Sequence, residues 1–333
     1  MNKIVIIGAG SWGIAIAHLL SKNGHEVKVY GRDANQVKSI NSTHRYSRLP
    51  GLSLDKKIIF TSNFDEAVQD IDIVVIAVPS NAFREGAKNI VKKVTLDKYF
   101  VTLTKGMEDK TLYTMSEILE DELKKAGAKK KRIVAISGPT HAEEVAVDMP
   151  SMVVSASKKI DDAKYIQDVF MNENFRVYTN TDIKGVEICA AFKNIIALAS
   201  GILYGVGYGD NIKAAMITRG LAEMIRAGKV LGCKKDTFYG LAGLGDMVVT
   251  ATSVHSRNYQ CGKLIGEGYS SSDAIKKIGM VVEGVNFLPK AMKIIHKYKL
   301  DLPITTGINE IVINGKDPKK ILTLLMTRSK KSE

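Results

Sequence analysis

The sequence predicts an α/β fold in which a doubly wound parallel sheet is followed by an all-helical domain. Through the first half, short β-branched runs alternate with longer segments whose apolar residues recur at helical spacing. After about Thr181 the strand-like runs nearly disappear and long helical patterns follow. A chain of 333 residues is long enough for two domains. We therefore expect an α/β domain over residues 1–182 and a helical domain over residues 183–333.

Short apolar runs rich in valine, isoleucine and aromatic residues are predicted to be strands that are buried on both faces of a parallel sheet. In chain order these runs are Lys3–Ile7, Glu26–Tyr30, Lys57–Phe60, Asp72–Val78, Tyr99–Leu103, Arg132–Ile136, Ser151–Ser155 and Phe175–Tyr178. Segments with apolar residues at helical spacing separate several of them and fill the second half. The predicted helices are Trp12–Lys22, Ala82–Lys92, Leu112–Ala126, Asp161–Phe170, Ile183–Gly201, Lys213–Gly228, Asp273–Ile278, Val285–Tyr298 and Ile304–Val312.

The charge of the chain is strongly basic, with 48 Lys and Arg against 35 Asp and Glu and a formal net charge of +13. Such a balance fits nucleic acid, an anionic membrane surface or small phosphorylated ligands. Aromatic residues make up only 7% and the lysines are spread out, which disfavours nucleic acid. The densest basic run, Lys129–Arg132, lies between a helical pattern and a strand and is interpreted as an exposed loop.

Nothing in the sequence predicts export, a membrane span or a metal site. The first apolar run is broken at Gly8 and lacks a basic flank and a cleavage site, and no uninterrupted apolar stretch approaches the ~20 residues of a membrane span. Cys189, Cys233 and Cys261 are too few and too scattered for a disulfide framework or a zinc site. We expect reduced thiols, no bound metal, a cytoplasmic location and no integral membrane contact.

A glycine-rich turn gives the strongest local signal. Gly8, Gly10 and Gly13 follow the first predicted strand directly and open the first predicted helix, which is the Rossmann-type arrangement for binding a dinucleotide. Gly8 permits the tight turn, Gly10 lets the backbone approach a pyrophosphate, and Gly13 lets the helix pack closely on the strand. The free amides at the helix start then face the anion.

The end of the second strand bears on the choice between NAD and NADP. An NAD site usually has a carboxylate at this point for the ribose hydroxyls, but here Gly31 occupies the position and Arg32 follows. A guanidinium suits a 2′-phosphate, so the sequence favours NADP. Alternatively, Arg32 is only an exposed loop residue and Asp33 caps the next helix, and Asp33 keeps NAD open.

In the second half, the segment from Ile188 to Ala199 is apolar on nearly every face of a helix, which predicts burial all round. Lys193 and Asn194 interrupt it. No carboxylate lies one turn away from Lys193 on this helix, so burial is expected to lower its pKa and to suit it to exchanging a proton with a carbinol or carbonyl oxygen. The alternative is a lysine that extends to the surface from a partly exposed helix.

Three further clusters suit a small anionic substrate. Lys105 and Gly106 follow the fifth strand, and the segment from Gly138 to Ala142 follows the sixth, so both lie at the carboxyl edge where open α/β sheets bind ligands. In the helical half, a carboxylate, a hydroxyl, a guanidinium and an amide lie close together in sequence, at Asp246, Ser256, Arg257 and Asn258. Each cluster alone also fits an ordinary turn, a helix cap or a surface charge.

Together these motifs resemble the bacterial NAD(P)-dependent glycerol-3-phosphate dehydrogenases, which reduce dihydroxyacetone phosphate. The resemblance runs through both halves of the chain, in GAGSWG at 8–13, LTKGME at 103–108, SGPTHAEEVA at 137–146, FKNIIALASGI at 192–202, GLGD at 243–246, SRNYQCGKLIGEG at 256–268 and VVEGV at 281–285. It implies reversible hydride transfer between NAD(P)H and dihydroxyacetone phosphate, giving sn-glycerol 3-phosphate for glycerophospholipid synthesis, and a homodimer.

The resemblance also implies roles for individual residues. Lys193 would be the proton acceptor in the direction of alcohol oxidation, with Asp246 orienting Lys193 or a substrate hydroxyl. Besides the glycines, cofactor contacts would come from Ser11, Trp12, Arg32, Lys105, Ala142, Arg257, Val281 and Glu283. Substrate contacts would come from Lys105, Gly138, Thr140, Lys193, Asp246, Ser256, Arg257 and Asn258. The stretch from Thr43 to Pro50 is a further candidate for contacting the adenosine end.

Two other functions fit parts of the sequence. A related two-domain dehydrogenase for a β-hydroxy acid or sugar acid would share both halves but needs a pocket for a carboxylate, whereas Ser256, Arg257 and Asn258 suit a phosphate. A non-catalytic dinucleotide sensor that binds a macromolecule, such as nucleic acid, would use the net charge of +13 but has no need of a buried Lys193.

Overall fold

A computed structural model of the chain describes residues 1–330 and 332. It divides into two compact units, Met1–Glu187, called the sheet unit below, and the chain from Ile188 onward, called the helical unit. The division falls inside one long helix, Ile183–Val206, which begins at the residue where the sequence predicted a helix. The predicted α/β class is confirmed, and no strand follows Asn180 among the described residues.

The sheet unit contains one eight-stranded sheet in the order β3-β2-β1-β4-β5-β6-β7-β8. Its strands are Lys3–Ile7 (β1), Glu26–Tyr30 (β2), Ile59–Thr61 (β3), Ile73–Ile76 (β4), Tyr99–Thr102 (β5), Arg132–Ser137 (β6), Ser151–Ala156 (β7) and Phe175–Asn180 (β8). The helices between them are Ser11–Lys22 (α1), Ala34–Thr43 (α2), Phe64–Ala67 (α3), Phe83–Val91 (α4), Met115–Lys125 (α5), Ala142–Val145 (α6) and Ile160–Phe170 (α7).

The chain order reverses between β1 and β4. From β1 the chain builds outward through β2 and β3, and it then returns to the other side of β1 to add β4, β5 and β6. These strands all run parallel, so the carboxyl ends of β1, β4, β5 and β6 meet at one edge of the sheet. Open α/β sheets bind ligands at such a reversal, in the crevice outside the carboxyl ends.

The sheet is parallel, as predicted, except at one pair, where β7 runs antiparallel to β6. A parallel pair needs a crossover that returns the chain to the starting edge of the sheet, usually through a long helix. The connection from β6 to β7 contains only the four-residue α6 and stays at the carboxyl edge. The chain therefore re-enters the sheet from that edge, and β8, parallel to β7, keeps the reversed direction.

A buried glutamate stabilises the start of α5. The Glu187 carboxylate accepts hydrogen bonds from the Ser116 amide, at 2.8 Å, and from the Ser116 hydroxyl, at 2.5 Å. These bonds satisfy a donor at the helix N-terminus, where negative charge is also favourable. Burial nevertheless disfavours the ionised form and raises the pKa of Glu187 to about 7.

The helical unit is built around the long helix Ile183–Val206 (α8), of which it contains the part from Ile188 onward. The later helices are Asp210–Val230 (α9), Lys235–Tyr239 (α10), Asp246–Thr252 (α11), Arg257–Gly266 (α12), Ser271–Ile278 (α13), Glu283–Tyr298 (α14), Pro303–Val312 (α15) and Pro318–Met326 (α16). Glycines bring α8 and α12 together, since a Cβ on Gly201 would lie 2.0 Å from the Tyr259 carbonyl oxygen and one on Gly262 would lie 2.1 Å from the Leu198 carbonyl oxygen.

By length and composition alone, α8 could cross a membrane, although Lys193 and Asn194 interrupt its apolar sequence. It has 24 residues and contains an 18-residue window with a mean hydropathy of 1.7. That whole window is buried inside the molecule, which is the environment of a core helix. The predicted burial on all faces is confirmed, and Lys193 and Asn194 are buried along with their apolar neighbours.

Candidate functional site

In the sheet unit, the glycine-rich turn between β1 and α1 is closed by contacts that exclude side chains. Gly8 has a φ of +123°, and a Cβ there would lie 2.4 Å from the carbonyl oxygen of Ala77. A Cβ on Gly13 would lie 2.1 Å from the carbonyl oxygen of Gly8. Open space surrounds the Cβ position of Gly10. The turn therefore brings the helix start against β1 and leaves room at Gly10 for a ligand.

The amides that follow this turn can bind an anion. Gly10 is the N-cap of α1 and no side chain caps it, so the amides of the first turn, at Ser11, Trp12 and Gly13, have no partner within the helix. The helix dipole adds partial positive charge at the same point. Trp12 is half-buried and packs against the core of the sheet unit.

At the end of β2, the structure separates the roles of Arg32 and Asp33. The Asp33 carboxylate accepts hydrogen bonds from the amides of Asn35, at 2.9 Å, and Gln36, at 3.2 Å, so Asp33 caps α2 as one interpretation of the sequence predicted. The Arg32 side chain is exposed. The Arg32 guanidinium is therefore accessible to a ligand, whereas the Asp33 carboxylate is hydrogen-bonded to backbone amides of α2. In the stretch from Thr43 to Pro50, the further candidate for contacting the adenosine end, Tyr46 and Leu49 are buried in the core.

The ends of β5 and β6 bring further predicted residues to the same edge. Lys105 follows β5, and its neighbour Thr104 donates a hydrogen bond from Oγ1 to the Val78 carbonyl oxygen at 2.8 Å. Gly138 follows β6, and a Cβ there would lie 2.8 Å from the Met152 carbonyl oxygen. Thr140 donates from Oγ1 to the Gly138 carbonyl oxygen at 3.3 Å, and Ala142 begins α6.

In the helical unit, Lys193 lies in a buried polar cluster. Its ammonium donates hydrogen bonds to Oδ1 of Asp246 and, at 2.7 Å, to Oγ1 of Thr250. Thr250 donates its own proton to the Asp246 carbonyl oxygen at 2.5 Å, so its oxygen lone pairs are available to the lysine. Lys193 is 4% exposed, Asp246 0% and Thr250 6%. The interpretation of Lys193 as a lysine that extends to the surface is therefore wrong.

A carboxylate from a different helix contacts Lys193, which the spacing along its own helix did not predict. No carboxylate lies near Lys193 on its own helix, but Asp246 reaches it from α11. A carboxylate in contact favours the charged ammonium, and this effect opposes that of burial. A short π-helical segment, Leu241–Gly245, leads into α11. It packs closely against Phe238, because a Cβ on Gly243 would lie 2.2 Å from the Phe238 carbonyl oxygen.

Thr250 was not identified from the sequence. It lies one helical turn after Asp246, on the same face of α11, and this i,i+4 spacing is the signal that could have indicated it. The spacing alone did not reveal that both side chains meet a lysine on another helix. The cluster thus contains an ammonium, a carboxylate and a hydroxyl, which together can hold and transfer a proton.

The segment from Ser256 to Asn258 contributes backbone and charge rather than free polar side chains. Ser256 caps α12 by accepting a hydrogen bond from the Tyr259 amide at 3.2 Å. Asn258 donates to Oδ1 of Asn194 at 2.9 Å and accepts from the Gly284 amide at 2.8 Å, so it ties α8 and α12 to the start of α14. The side chains of Ser256 and Asn258 therefore hold the start of α12 in place.

Arg257 is the exposed cation of this segment. Its Nη1 donates to the Val281 carbonyl oxygen at 3.1 Å, which connects the start of α12 to the segment before α14. Val281 is 39% exposed, and Glu283 is the first residue of α14. With the amides at the start of α12, the Arg257 guanidinium forms an arrangement suited to phosphate. Within the described chain, no group of three or more His, Cys, Asp and Glu could hold a metal ion.

Comparison with known proteins agrees with the resemblance. The family model described as the NAD-dependent glycerol-3-phosphate dehydrogenase N-terminus matches residues 3–163, and the corresponding C-terminus model matches residues 182–323. The chain is 48% identical to glycerol-3-phosphate dehydrogenase [NAD(P)+] 2 of Lactobacillus delbrueckii subsp. bulgaricus, over 100% of this chain and 99% of that protein. It is 46% identical to glycerol-3-phosphate dehydrogenase [NAD(P)+] of Bacillus subtilis, over 100% and 96%.

A solved structure leads to the same assignment. The crystal structure of glycerol-3-phosphate dehydrogenase from Coxiella burnetii superposes with a TM-score of 0.93 at 33% identity, covering 98% of this chain and 99% of that one. Both halves of the sequence match the family models, and the relatives match over nearly their full lengths. The chain belongs to the NAD-dependent glycerol-3-phosphate dehydrogenase family.

Proposed function

We propose that this protein interconverts dihydroxyacetone phosphate and sn-glycerol 3-phosphate with NAD(P)H as the reductant. Family membership supports the reaction class, and relatives with this activity in their names match the whole chain. The observation that carries the proposal is the buried contact of Lys193 with Asp246 and Thr250. It supplies a proton donor where water is excluded.

The residues of the sheet unit fit a dinucleotide. The space at Gly10 and the uncapped amides of α1 accommodate a pyrophosphate, with Gly8 and Gly13 keeping the turn close to the sheet. Ser11 and Trp12 belong to the same turn of α1. When bound, the reduced nicotinamide supplies a hydride to the carbonyl carbon of the substrate. Further cofactor contacts are proposed, on the family resemblance, for Lys105, Ala142, Arg257, Val281 and Glu283.

NADPH is the favoured cofactor in this proposal. Arg32 is exposed at the end of β2, where a guanidinium can pair with a 2′-phosphate. Asp33, the carboxylate that would favour NADH, already accepts two backbone hydrogen bonds at the start of α2. The engagement of Asp33 weakens the case for NADH without excluding use of both cofactors.

Lys193 acts on the substrate oxygen. Negative charge develops on that oxygen during reduction, and the Lys193 ammonium stabilises the charge and donates a proton from Nζ. In the reverse direction, neutral Lys193 accepts the proton of the carbinol. Asp246 and Thr250 orient the Nζ atom, because both accept hydrogen bonds from it. The oxygen is therefore protonated from a fixed direction.

The phosphate of the substrate is assigned to the start of α12. The Arg257 guanidinium and the amides of Arg257 and Asn258 are the donors, and Ser256 holds the first turn of α12 in place through its cap. Binding the phosphate here fixes the reacting carbon and supplies binding energy for the reaction. Contacts from Lys105, Gly138 and Thr140 complete the proposed substrate site and rest on the family resemblance.

Three finer features of the proposal also rest on that resemblance: a homodimer, a cytoplasmic location and a role in glycerophospholipid synthesis. The dimer is tested by measuring the molar mass of the purified protein with light scattering, for which a monomeric chain has a mass of 36.4 kDa. A mass near that of one chain at the assay concentration contradicts a dimer.

The activity is tested by mixing the protein with dihydroxyacetone phosphate and NADPH or NADH and following the loss of nicotinamide absorbance. We expect consumption with both cofactors and faster consumption with NADPH. Dihydroxyacetone without its phosphate is the matched control, and its kcat/KM should be lower by orders of magnitude because the donors of α12 then bind nothing. No consumption of either cofactor by the folded protein contradicts the proposal.

The same assay in the oxidising direction separates the alternatives. Faster turnover of a β-hydroxy acid than of sn-glycerol 3-phosphate favours the related acid dehydrogenases. Retention of DNA that weakens as salt is raised, in the absence of any turnover, favours a dinucleotide sensor that binds nucleic acid.

A further inference from the structure

A cluster of charged side chains lies behind the loop that carries Lys105. Arg84, in the first turn of α4, contacts both carboxylate oxygens of Glu108, through Nε and, at 2.7 Å, through Nη2. Its third nitrogen, Nη1, donates to Asp121 at 2.5 Å and to Glu122 at 2.6 Å, both on α5. One guanidinium therefore joins α4, α5 and the loop.

This cluster is partly shielded from water, and its central pair is Arg84 with Glu108. The side chains of Arg84 and Glu108 are 22% and 18% exposed, and that of Glu122 is 4% exposed. Hydrogen bonds from Arg84 hold the pKa of Glu108 below its usual range, and the bonds to Glu108 raise the pKa of Arg84. Paired, two-point contacts of this kind fix geometry as well as adding energy.

The loop itself is held on either side of Lys105. Before it, Oγ1 of Thr104 donates to the Val78 carbonyl oxygen at 2.8 Å. After it, the Glu108 amide donates to the Tyr113 carbonyl oxygen at 2.8 Å, and the Glu108 side chain is bound by Arg84. Lys105, Gly106 and Met107 are the residues between these two attachments, so the position of Glu108 limits where the backbone of Lys105 can lie.

We propose that Arg84 is a positioning residue for the reaction: it binds Glu108 and so holds Lys105 in the orientation that meets the substrate. This proposal rests on the proposed function, in which Lys105 contacts the substrate. A lysine on an unsupported loop loses side-chain and backbone freedom when it binds, and support from a second layer of residues removes part of that cost. The contact to Glu122, whose side chain is 4% exposed, attaches Arg84 to α5 and holds its guanidinium in place.

The kinetic test compares the two sets of contacts that Arg84 makes. Arg84→Gln and Glu108→Gln should each lower kcat/KM for dihydroxyacetone phosphate about tenfold, because Lys105 is no longer held. Asp121→Asn is the matched control, since it removes a partner of Arg84 on α5 but leaves the pair with Glu108, and it should change kcat/KM less than twofold. An equal loss in Asp121→Asn would mean that Arg84 only joins α4 to α5, and the proposal would be overturned.

A double variant tests whether Arg84 acts through Lys105. In a Lys105→Ala background, Arg84→Gln should cause no further loss of kcat/KM, because the side chain that Arg84 positions is gone. An undiminished tenfold loss in that background would overturn the proposal. If Arg84→Gln does not fold, Glu108→Gln combined with Lys105→Ala provides the same comparison.

Amide hydrogen exchange gives a readout that does not depend on turnover. In Arg84→Gln and Glu108→Gln, the amides of residues 104–108 should exchange at least tenfold faster than in the wild type, while those in Asp121→Asn should be unchanged. Equal exchange in all variants would overturn the proposal. A wild type that does not reduce dihydroxyacetone phosphate would instead contradict the proposed function, and the exchange measurement would still report on the loop.

Discussion

Replacing Asp246 with asparagine isolates the contribution of the buried ion pair. Asp246 is 0% exposed and Lys193 4%, so the substitution leaves an ammonium in the interior without its opposite charge. Removing one partner of a buried pair typically costs about 3–5 kcal/mol. The asparagine oxygen and Thr250 still accept hydrogen bonds from the lysine, so we expect the low end, a loss of about 3 kcal/mol in the free energy of unfolding at pH 7.

Urea unfolding followed by circular dichroism measures this change, and the nicotinamide assay measures turnover in the same samples. The double variant Lys193→Met/Asp246→Leu should recover most of the lost stability, because an apolar pair of similar volume leaves no charge buried. It should remain inactive, since it has no proton donor. Stability and activity would then be separated at one pair of positions.

An exposed pair provides the control. Lys22 and Asp148 form an ion pair at 2.6 Å with side chains 46% and 31% exposed, and Asp148→Asn should cost less than about 1 kcal/mol. If Asp246→Asn costs no more than this control and keeps turnover within twofold of the wild type, the buried pair contributes neither to stability nor to the reaction.

Three further predictions concern the cofactor site and the pH dependence of stability. Gly10→Ala should leave the free energy of unfolding nearly unchanged but weaken NADPH binding by tenfold or more, measured by fluorescence titration. Gly8→Ala should weaken NADPH binding and also destabilise the fold, because its Cβ would lie 2.4 Å from the Ala77 carbonyl oxygen. Arg32→Ala should raise the KM for NADPH about tenfold and change that for NADH less than twofold, in steady-state assays. Burial raises the pKa of Glu187 from 4.5 to about 7, so the folded state binds more protons than the unfolded state between these pH values. The free energy of unfolding should therefore fall by roughly 3 kcal/mol as the pH rises from 4.5 to 7. Glu187→Gln should lack this pH dependence when urea unfolding is measured at each pH.

The sheet could be predicted largely from the sequence because its signals are local. The runs at Lys3–Ile7 and Glu26–Tyr30 have the same bounds in the structure as in the prediction, since β-branched residues bordered by polar or glycine residues define a strand directly. The direction of β7 is not local. It depends on the length of the connection that precedes it, and the sequence pattern of a strand is the same in either direction.

The polar cluster could be predicted only in part. An apolar helix interrupted by a lysine indicated a buried Lys193, and the sequence also suggested that Asp246 orients it. The contact with Thr250 was missed because it joins α8 to α11, and no spacing along one helix reports on a partner from another. The helix Arg257–Gly266 was missed as well, since close packing through Gly262 replaces the large apolar residues that mark other helices.

In the proposed reaction, Lys193 transfers the proton during reduction of dihydroxyacetone phosphate. The most direct test is to compare wild type and Lys193→Ala in the nicotinamide assay, with NADPH affinity measured on the same preparations. We expect kcat to fall by about 10²- to 10⁴-fold while the Kd for NADPH stays within twofold. Turnover by Lys193→Ala at a rate close to that of the wild type would contradict this role of Lys193.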